Sequence, residues 1–163
     1  MTAEYEFNID FPTGNLPLKG VTGEFERASN AQIAELEKKL NVKLPEDYLD
    51  FLQKFGPSLF TEDVVFTSIE SSAWAVNGDE CFDLFYGVSA NAGCDLCNIN
   101  VRLVGDIPSK AIAIGHDSGS NLILLKLDTD QVLFFDKETG KTFLIACGFN
   151  AFLKSFRRRE LKK

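Results

Sequence analysis

"AIAIGHDSGSN" spans Ala111–Asn121, an apolar run that breaks into two glycines with His116, Asp117, Ser118 and Ser120 set around them. These are the residue types of a serine-hydrolase triad, so the stretch is either a reacting site or a polar turn between strands. A triad needs three side chains converging from separate elements, with the base oriented by a third group. Consecutive side chains on extended or turn backbone diverge instead. His116 is the sole histidine of the chain, and no G-x-S-x-G elbow surrounds either serine. A phosphate cradle fails on similar grounds: a strand pattern, NLILLKL, follows rather than a helix, and Gly-Lys-Ser/Thr is absent. The stretch therefore reads as a strand-to-strand turn. Gly115 and Gly119 are expected to supply its unusual backbone angles, and Asp117 and Asn121 to bond locally.

Working outward, the segments on either side carry strand periodicity. DVVFTS, ECFDLFYG, NINVRLV, KAIAIG, NLILLKL and QVLFFD are short, β-branched or aromatic, and bounded by turn residues. The last three follow one another too closely for crossover helices, which predicts an antiparallel meander. Asp128–Asp130 forms one of its hairpin loops. Upstream the period is helical. In SNAQIAELEKKL, Ser29 and Gln32 form a capping box, Ile33, Leu36 and Leu40 share a face, and Asn41 is a stop. In LPEDYLDFLQKFG, Pro45 suits the first turn, Glu46 and Asp47 complement the helix dipole, and Gly56 suits the left-handed position after the last turn. FNAFLKSFRRRELKK is expected to close the chain as a helix capped by Asn150, with Arg157–Arg159 near its negative end. The fold class is thus α+β: an antiparallel multi-stranded sheet packed with two N-terminal helices and a C-terminal helix. Residues 1–28 read as an N-terminal arm, with YEFNIDF as a candidate strand, and residues 29–163 as a single domain.

The chain has 163 residues, 45% hydrophobic and 25% charged, which suits one soluble globular domain; fifteen phenylalanines predict an aromatic core. No window approaches the roughly 18 apolar residues of a membrane span, and the acidic start, MTAEYEFNIDFP, lacks the pattern of a signal peptide. A cytoplasmic location is expected. Cys81, Cys94, Cys97 and Cys147 then read as reduced thiols. Cys94 and Cys97 form a lone C-x-x-C, which is half of a zinc site at best and does not look like the helix start of a redox motif. No metal and no cofactor are expected.

The net charge of −7 is uneven. Met1–Asn150 carries 23 acids and 11 bases, and Ala151–Lys163 one acid and six bases. Phe55–Val101 holds seven acids and no lysine or arginine. Such a body repels nucleic acid and anionic membranes and attracts basic partners, or the charge serves solubility alone. Trp74, in SSAWAVNGDE, is either a binding anchor or a core residue. The three arginines read as dipole complement and solvated surface rather than a nucleic-acid patch. No catalytic constellation emerges, which favours a binding protein over an enzyme.

Three motifs in order add a resemblance. Ile33–Gly56, IAELEKKLNVKLPEDYLDFLQKFG, resembles the N-terminal signature of the SUKH superfamily, which includes the fungal Smi/Knr-type cell-wall regulators; Glu37, Leu44, Pro45, Glu46, Asp47, Tyr48, Phe51 and Leu52 carry it. Phe55-Gly56-Pro57 replaces the family's Asn-Gly-Gly turn. Ile112–Gly140 is similar to the family's strand, Gly-Asp-x-Gly-Gly-Asn turn, strand, and Val-x-x-x-Asp run. Gly115, Asp117, Gly119, Asn121, Val132 and Asp136 match it, and Ser120 departs from the second glycine. FNAFLKSF looks like the final helix. The resemblance covers about Ser29–Phe156 and implies an α+β immunity protein. Bacterial members of this kind neutralise a cognate polymorphic or contact-dependent growth inhibition toxin, often a basic nuclease; the competing implication is a regulatory scaffold domain that binds a cellular protein. If the partner is basic, Asp63, Glu70, Asp79, Glu80 and Asp83 are the candidate charges of the partner face and Trp74 its candidate anchor.

Overall fold

The computed structural model describes residues 16–159. Two helices open it after a short strand. β1 is Leu18–Gly20, α1 Asn30–Leu40 and α2 Glu46–Lys54. The capping box of α1 is formed: Gln32 N donates to Ser29 Oγ (3.1 Å) and Ser29 N to Gln32 Oε1 (2.9 Å). Asn41 ends the helix at φ 52°, donating its N–H back to the last turn. Pro45 is the N-cap of α2, and Gly56 follows it at φ 64°.

Then come β2 (Ser58–Phe60), β3 (Val64–Thr67), β4 (Asp79–Cys81), β5 (Leu84–Phe85), α3 (Leu96–Arg102), β6 (Ala111–His116), β7 (Leu122–Lys126), β8 (Val132–Phe135), β9 (Thr142–Ala146), α4 (Phe149–Lys154) and β10 (Phe156–Arg158). Two antiparallel sheets result. The larger has the order β1-β2-β5-β6-β7-β8-β9 and the smaller β10-β3-β4. The meander β6–β8 is the expected one, with its hairpin loop at Asp128–Asp130, and β9, which the strand pattern did not mark, extends it by pairing with β8. Among the described residues no helix is long and apolar enough to cross a membrane.

The core is aromatic. Phe82 and Phe85 stack at 4.4 Å, Phe51 and Phe85 at 4.7 Å, and Phe152 and Phe156 at 4.9 Å between ring centroids. Phe85, Phe66, Phe152 and Phe156 are shut off from solvent, as are Tyr48 and Phe149 at the helical side. Offset and edge-on ring pairs of this kind add to the area term that drives burial.

Four details depart from the sequence reading. NINVRLV is helix, not strand: Asp95 caps α3 by accepting from Asn98 N (3.0 Å), and Leu96 and Asn100 are buried at helical spacing. Its alternation matches a strand only if Asn100 faces water; in fact Asn100 faces inward. Residues 149–158 are a six-residue helix followed by a strand, because β10 pairs with β3 (Phe156↔Phe66, Arg158↔Val64), and the rest of the expected closing helix lies outside the described residues. Asn150 is not the cap; Gly148 holds that position. ECFDLFYG divides into β4 and β5, which belong to different sheets. Leu16 and Leu18, within the stretch read as an arm, are buried, and β1 pairs with β2. The candidate strand YEFNIDF lies outside the described residues.

Candidate functional site

The turn between β6 and β7 is built on one carboxylate. Asp117 is buried; its Oδ1 accepts from Gly119 N (2.9 Å) and Asn121 N (2.8 Å), and its Oδ2 from Asn121 Nδ2 (3.1 Å). Asn121 Oδ1 in turn accepts from Lys137 N (3.3 Å), tying this turn to the one after β8. The local bonding of Asp117 and Asn121 is thus as the sequence suggests. The glycines act differently from expectation. The left-handed residue is Ser120 (φ 64°), and neither Gly115 nor Gly119 has positive φ. Gly115 sits at a break in the β6–β7 register, where a Cβ would collide with the Leu84 carbonyl oxygen. Gly119 is snug rather than closed to a side chain: a Cβ would lie 3.3 Å from Asn121 Nδ2 and in ordinary contact, 3.5 Å, with Trp74 Cζ3.

His116 has both ring nitrogens engaged. Tyr86 Oη lies 2.7 Å from Nδ1 and Asp83 Oδ2 3.2 Å from Nε2. Burial, and secondarily the charge of Asp83, push the Tyr86 pKa well up, so its hydroxyl stays protonated, and the Asp83 carboxylate can only accept from Nε2. Nε2 then carries the proton given to Asp83. No nitrogen is left to activate Ser118 or Ser120.

The second feature is the loop from Ser68 to Asn77. Glu80 is only 1% exposed, and its carboxylate accepts from Ser72 N (2.8 Å) and Ser72 Oγ (2.8 Å). Ser72 Oγ accepts from Trp74 N (3.1 Å). Val76 and Asp79 exchange two backbone bonds (2.9 and 3.0 Å) across Asn77 (φ 54°) and Gly78 (φ 81°), a tight turn of the kind Asn-Gly favours. At its other root the loop is laid along β9: Ile69 N donates to Ile145 O (3.0 Å), Glu70 N to Leu144 O (2.8 Å), and Leu144 N to Glu70 Oε1 (2.7 Å). The loop holds three exposed apolar side chains: Ile69 (63%), Trp74 (42%) and Val76 (57%). Trp74 is therefore at the surface, resting on the Gly119 turn. The Asn77-Gly78 pair is the signal in the sequence that marks this loop.

The candidate acids do not form one free cluster. Asp79 pairs with Arg157, and Asp63 with Arg159 (2.8 Å), as Glu62 does with Arg158. Arg157 and Arg158 lie on β10 and Arg159 directly follows it, not at a helix end, and their charge is matched by Asp79, Glu62 and Asp63. Glu80 is buried beneath the loop, so it is a brace and not a surface charge. Glu70 and Asp83 remain on the surface, each with a single hydrogen-bonded neighbour named above.

Cys94 is buried, which pushes its thiol pKa up, and Cys97 lies in the first turn of α3, so the C-x-x-C does open a helix. All four cysteines are free thiols, and among the described residues no group of three or more His, Cys, Asp or Glu side chains could hold a metal. A separate cleft of about 680 Å³ lies between the ends of α1 and α3 and the start of β6, lined by apolar residues including Leu40, Leu103 and Ile107, with Lys43 and Lys110 among its polar lining.

Residues 27–155 match the sequence profile of the SMI1/KNR4 family (SUKH-1). The chain is also similar to the SPbeta prophage-derived uncharacterized protein YokK of Bacillus subtilis (strain 168), 31% identical over 142 residues, covering 78% of this chain and 73% of that protein. The matched region takes in the helical pair, β2 to β9, α4 and the Asp117 turn, and the observed antiparallel sheet with its helices has the architecture that the resemblance implies. The chain belongs to the SMI1/KNR4 family (SUKH-1).

Proposed function

We propose that this protein is an immunity protein, which binds a cognate bacterial toxin in the cytoplasm and neutralises it by occupying its surface rather than by catalysis. The observation that carries the reading is a net charge of −7 on a member of this family, with Glu70 and Asp83 left at the surface after the arginines have paired with Glu62, Asp63 and Asp79. A toxin that grips phosphate must present a basic groove, and an acidic inhibitor associates with such a groove quickly and excludes its substrate. The relative derived from a prophage is in keeping with a gene carried in mobile, competitive elements. Neither a nucleic acid nor a membrane is expected to bind, because the overall charge has the wrong sign for both.

The test begins with the gene immediately upstream of this chain's: if it encodes a toxin, that toxin's C-terminal domain is co-expressed with this chain, and if it encodes none, the immunity reading loses its support. Rescue of growth together with co-purification is the expected result. Binding to a host protein with no rescue points instead to a regulatory scaffold domain, and overturns the immunity reading.

A further inference from the structure

We infer that the toxin-contacting surface is the loop Ile69–Val76 together with the Gly119 turn beneath it, with Trp74 as the anchor; this rests on the immunity reading. Five large apolar side chains are exposed among the described residues, and three of them fall within these eight residues. Isolated exposed apolar residues need no explanation, but a tryptophan held out on a rigid loop does. The loop is fixed at both roots. Glu80 holds Ser72 from below, the Asn77-Gly78 turn closes one side, and the Ile69–Glu70 backbone is bonded to β9 on the other. A side chain that is already ordered loses little entropy on binding, which is what an interface anchor requires.

Charge identifies the occupant. The two surface acids left by the arginine pairing flank this loop: Glu70 lies within it, and Asp83 is held by His116 on the strand that leads into the Gly119 turn. No lysine or arginine occurs from Phe55 to Val101. Ile69, Trp74 and Val76 give the surface an apolar centre, and Glu70 and Asp83 give it an acidic edge. It fits a basic protein face that offers a pocket for an indole. The row Glu62, Asp63 and Asp79 is not part of it, because Arg157–Arg159 already satisfy those carboxylates.

The experiment measures affinity for the inactivated C-terminal domain of a toxin found encoded beside this chain's gene, the same probe as in the co-expression test. Trp74→Ala is expected to weaken binding at least thirtyfold, with an unchanged melting temperature. Glu70→Gln and Asp83→Asn keep their hydrogen-bonding oxygens; each is expected to slow association a fewfold and to flatten its dependence on salt. Val104→Asp, at an 81% exposed position on the far lip of the cleft, is expected to stay within twofold. As the chain has one tryptophan, a 5-fluorotryptophan label gives a single ¹⁹F signal that must shift on binding. If the unaltered chain binds and Trp74→Ala binds equally well, or if Val104→Asp is the damaging change, the surface assignment is wrong while the immunity reading stands. If the unaltered chain does not bind, both fall.

Discussion

Replacing Asn100 with leucine should cost this protein a large part of its stability. Asn100 is 5% exposed and bonds three backbone groups: its Nδ2 donates to Leu96 O (2.9 Å) and Ala113 O (2.9 Å), and its Oδ1 accepts from Ala113 N (2.7 Å). β5 pairs with β6 only at Gly115 and His116, so Ala113 lies past the end of its neighbour and the side chain of α3 takes the place of a strand. Leucine fills a similar volume but strands both polar groups of Ala113 in the interior. Each orphaned group costs about 1–3 kcal/mol, so the pair costs about 2–6 kcal/mol. Against a total of about 5–15 kcal/mol, this is severe. At about 2–4 °C per kcal/mol for a chain of this size, the melting temperature should fall on the order of 10 °C. Thermal unfolding followed by circular dichroism reads this directly. Asn100→Asp supplies a second arm. Its carboxylate would face two carbonyl oxygens in a buried site, so the folded-state pKa is raised above the ordinary carboxylate value. A raised acid contributes its stability below the unfolded-state pKa and loses it as pH rises through the folded-state pKa. The variant should therefore recover toward acid relative to the parent chain. A drop of less than about 2 °C for Asn100→Leu would refute the surrogate-strand reasoning.

Gly115→Ala should destabilise strongly, because its methyl group meets the Leu84 carbonyl, whereas Ser118→Ala at the exposed tip should leave both the fold and toxin protection intact; parallel melts and rescue assays check this. Neutralising Arg157, Arg158 and Arg159 together with glutamine should cost about 1–3 kcal/mol in dilute buffer and much less in 1 M salt, since exposed ion pairs contribute up to about 1 kcal/mol each and are screened. Urea melts at two salt concentrations measure the difference, and equal losses would count against the pairing. At neutral pH, Cys147 should react with a thiol reagent far faster than Cys94, whose burial both blocks access and raises its pKa; mass spectrometry of the time course gives the order.

What the sequence made legible was local. Ser29 and Gln32, Asn41, Gly56 and the Asp117–Asn121 pair each act within a few residues, and each is where its chemistry put it. What stayed hidden was decided at a distance. NINVRLV alternates like a strand, and only the inward turn of Asn100 toward Ala113 makes the helical face the buried one. The arginines looked like the end of a helix because their partners, Glu62, Asp63 and Asp79, lie far away in sequence. The same distance concealed the burial of Glu80, which changed one proposed surface charge into the brace of the Trp74 loop. Ser120 takes the left-handed angle expected of the two nearby glycines, while Gly115 is held by a shortage of space against the Leu84 carbonyl.

The pairing of Phe156 with Phe66 links residues 90 positions apart. During synthesis β3 and β4 emerge early and wait, with Val64, Val65 and Phe66 lacking their outer neighbour, until Arg158 has left the ribosome. The β6–β9 meander, by contrast, closes hairpin by hairpin as it appears. A cell making this protein therefore holds a nascent chain whose small sheet is open on one side, and the three arginines that close it arrive together. Translation that stops short of β10 would leave a chain with a formed meander and an exposed Phe66, a natural substrate for quality control.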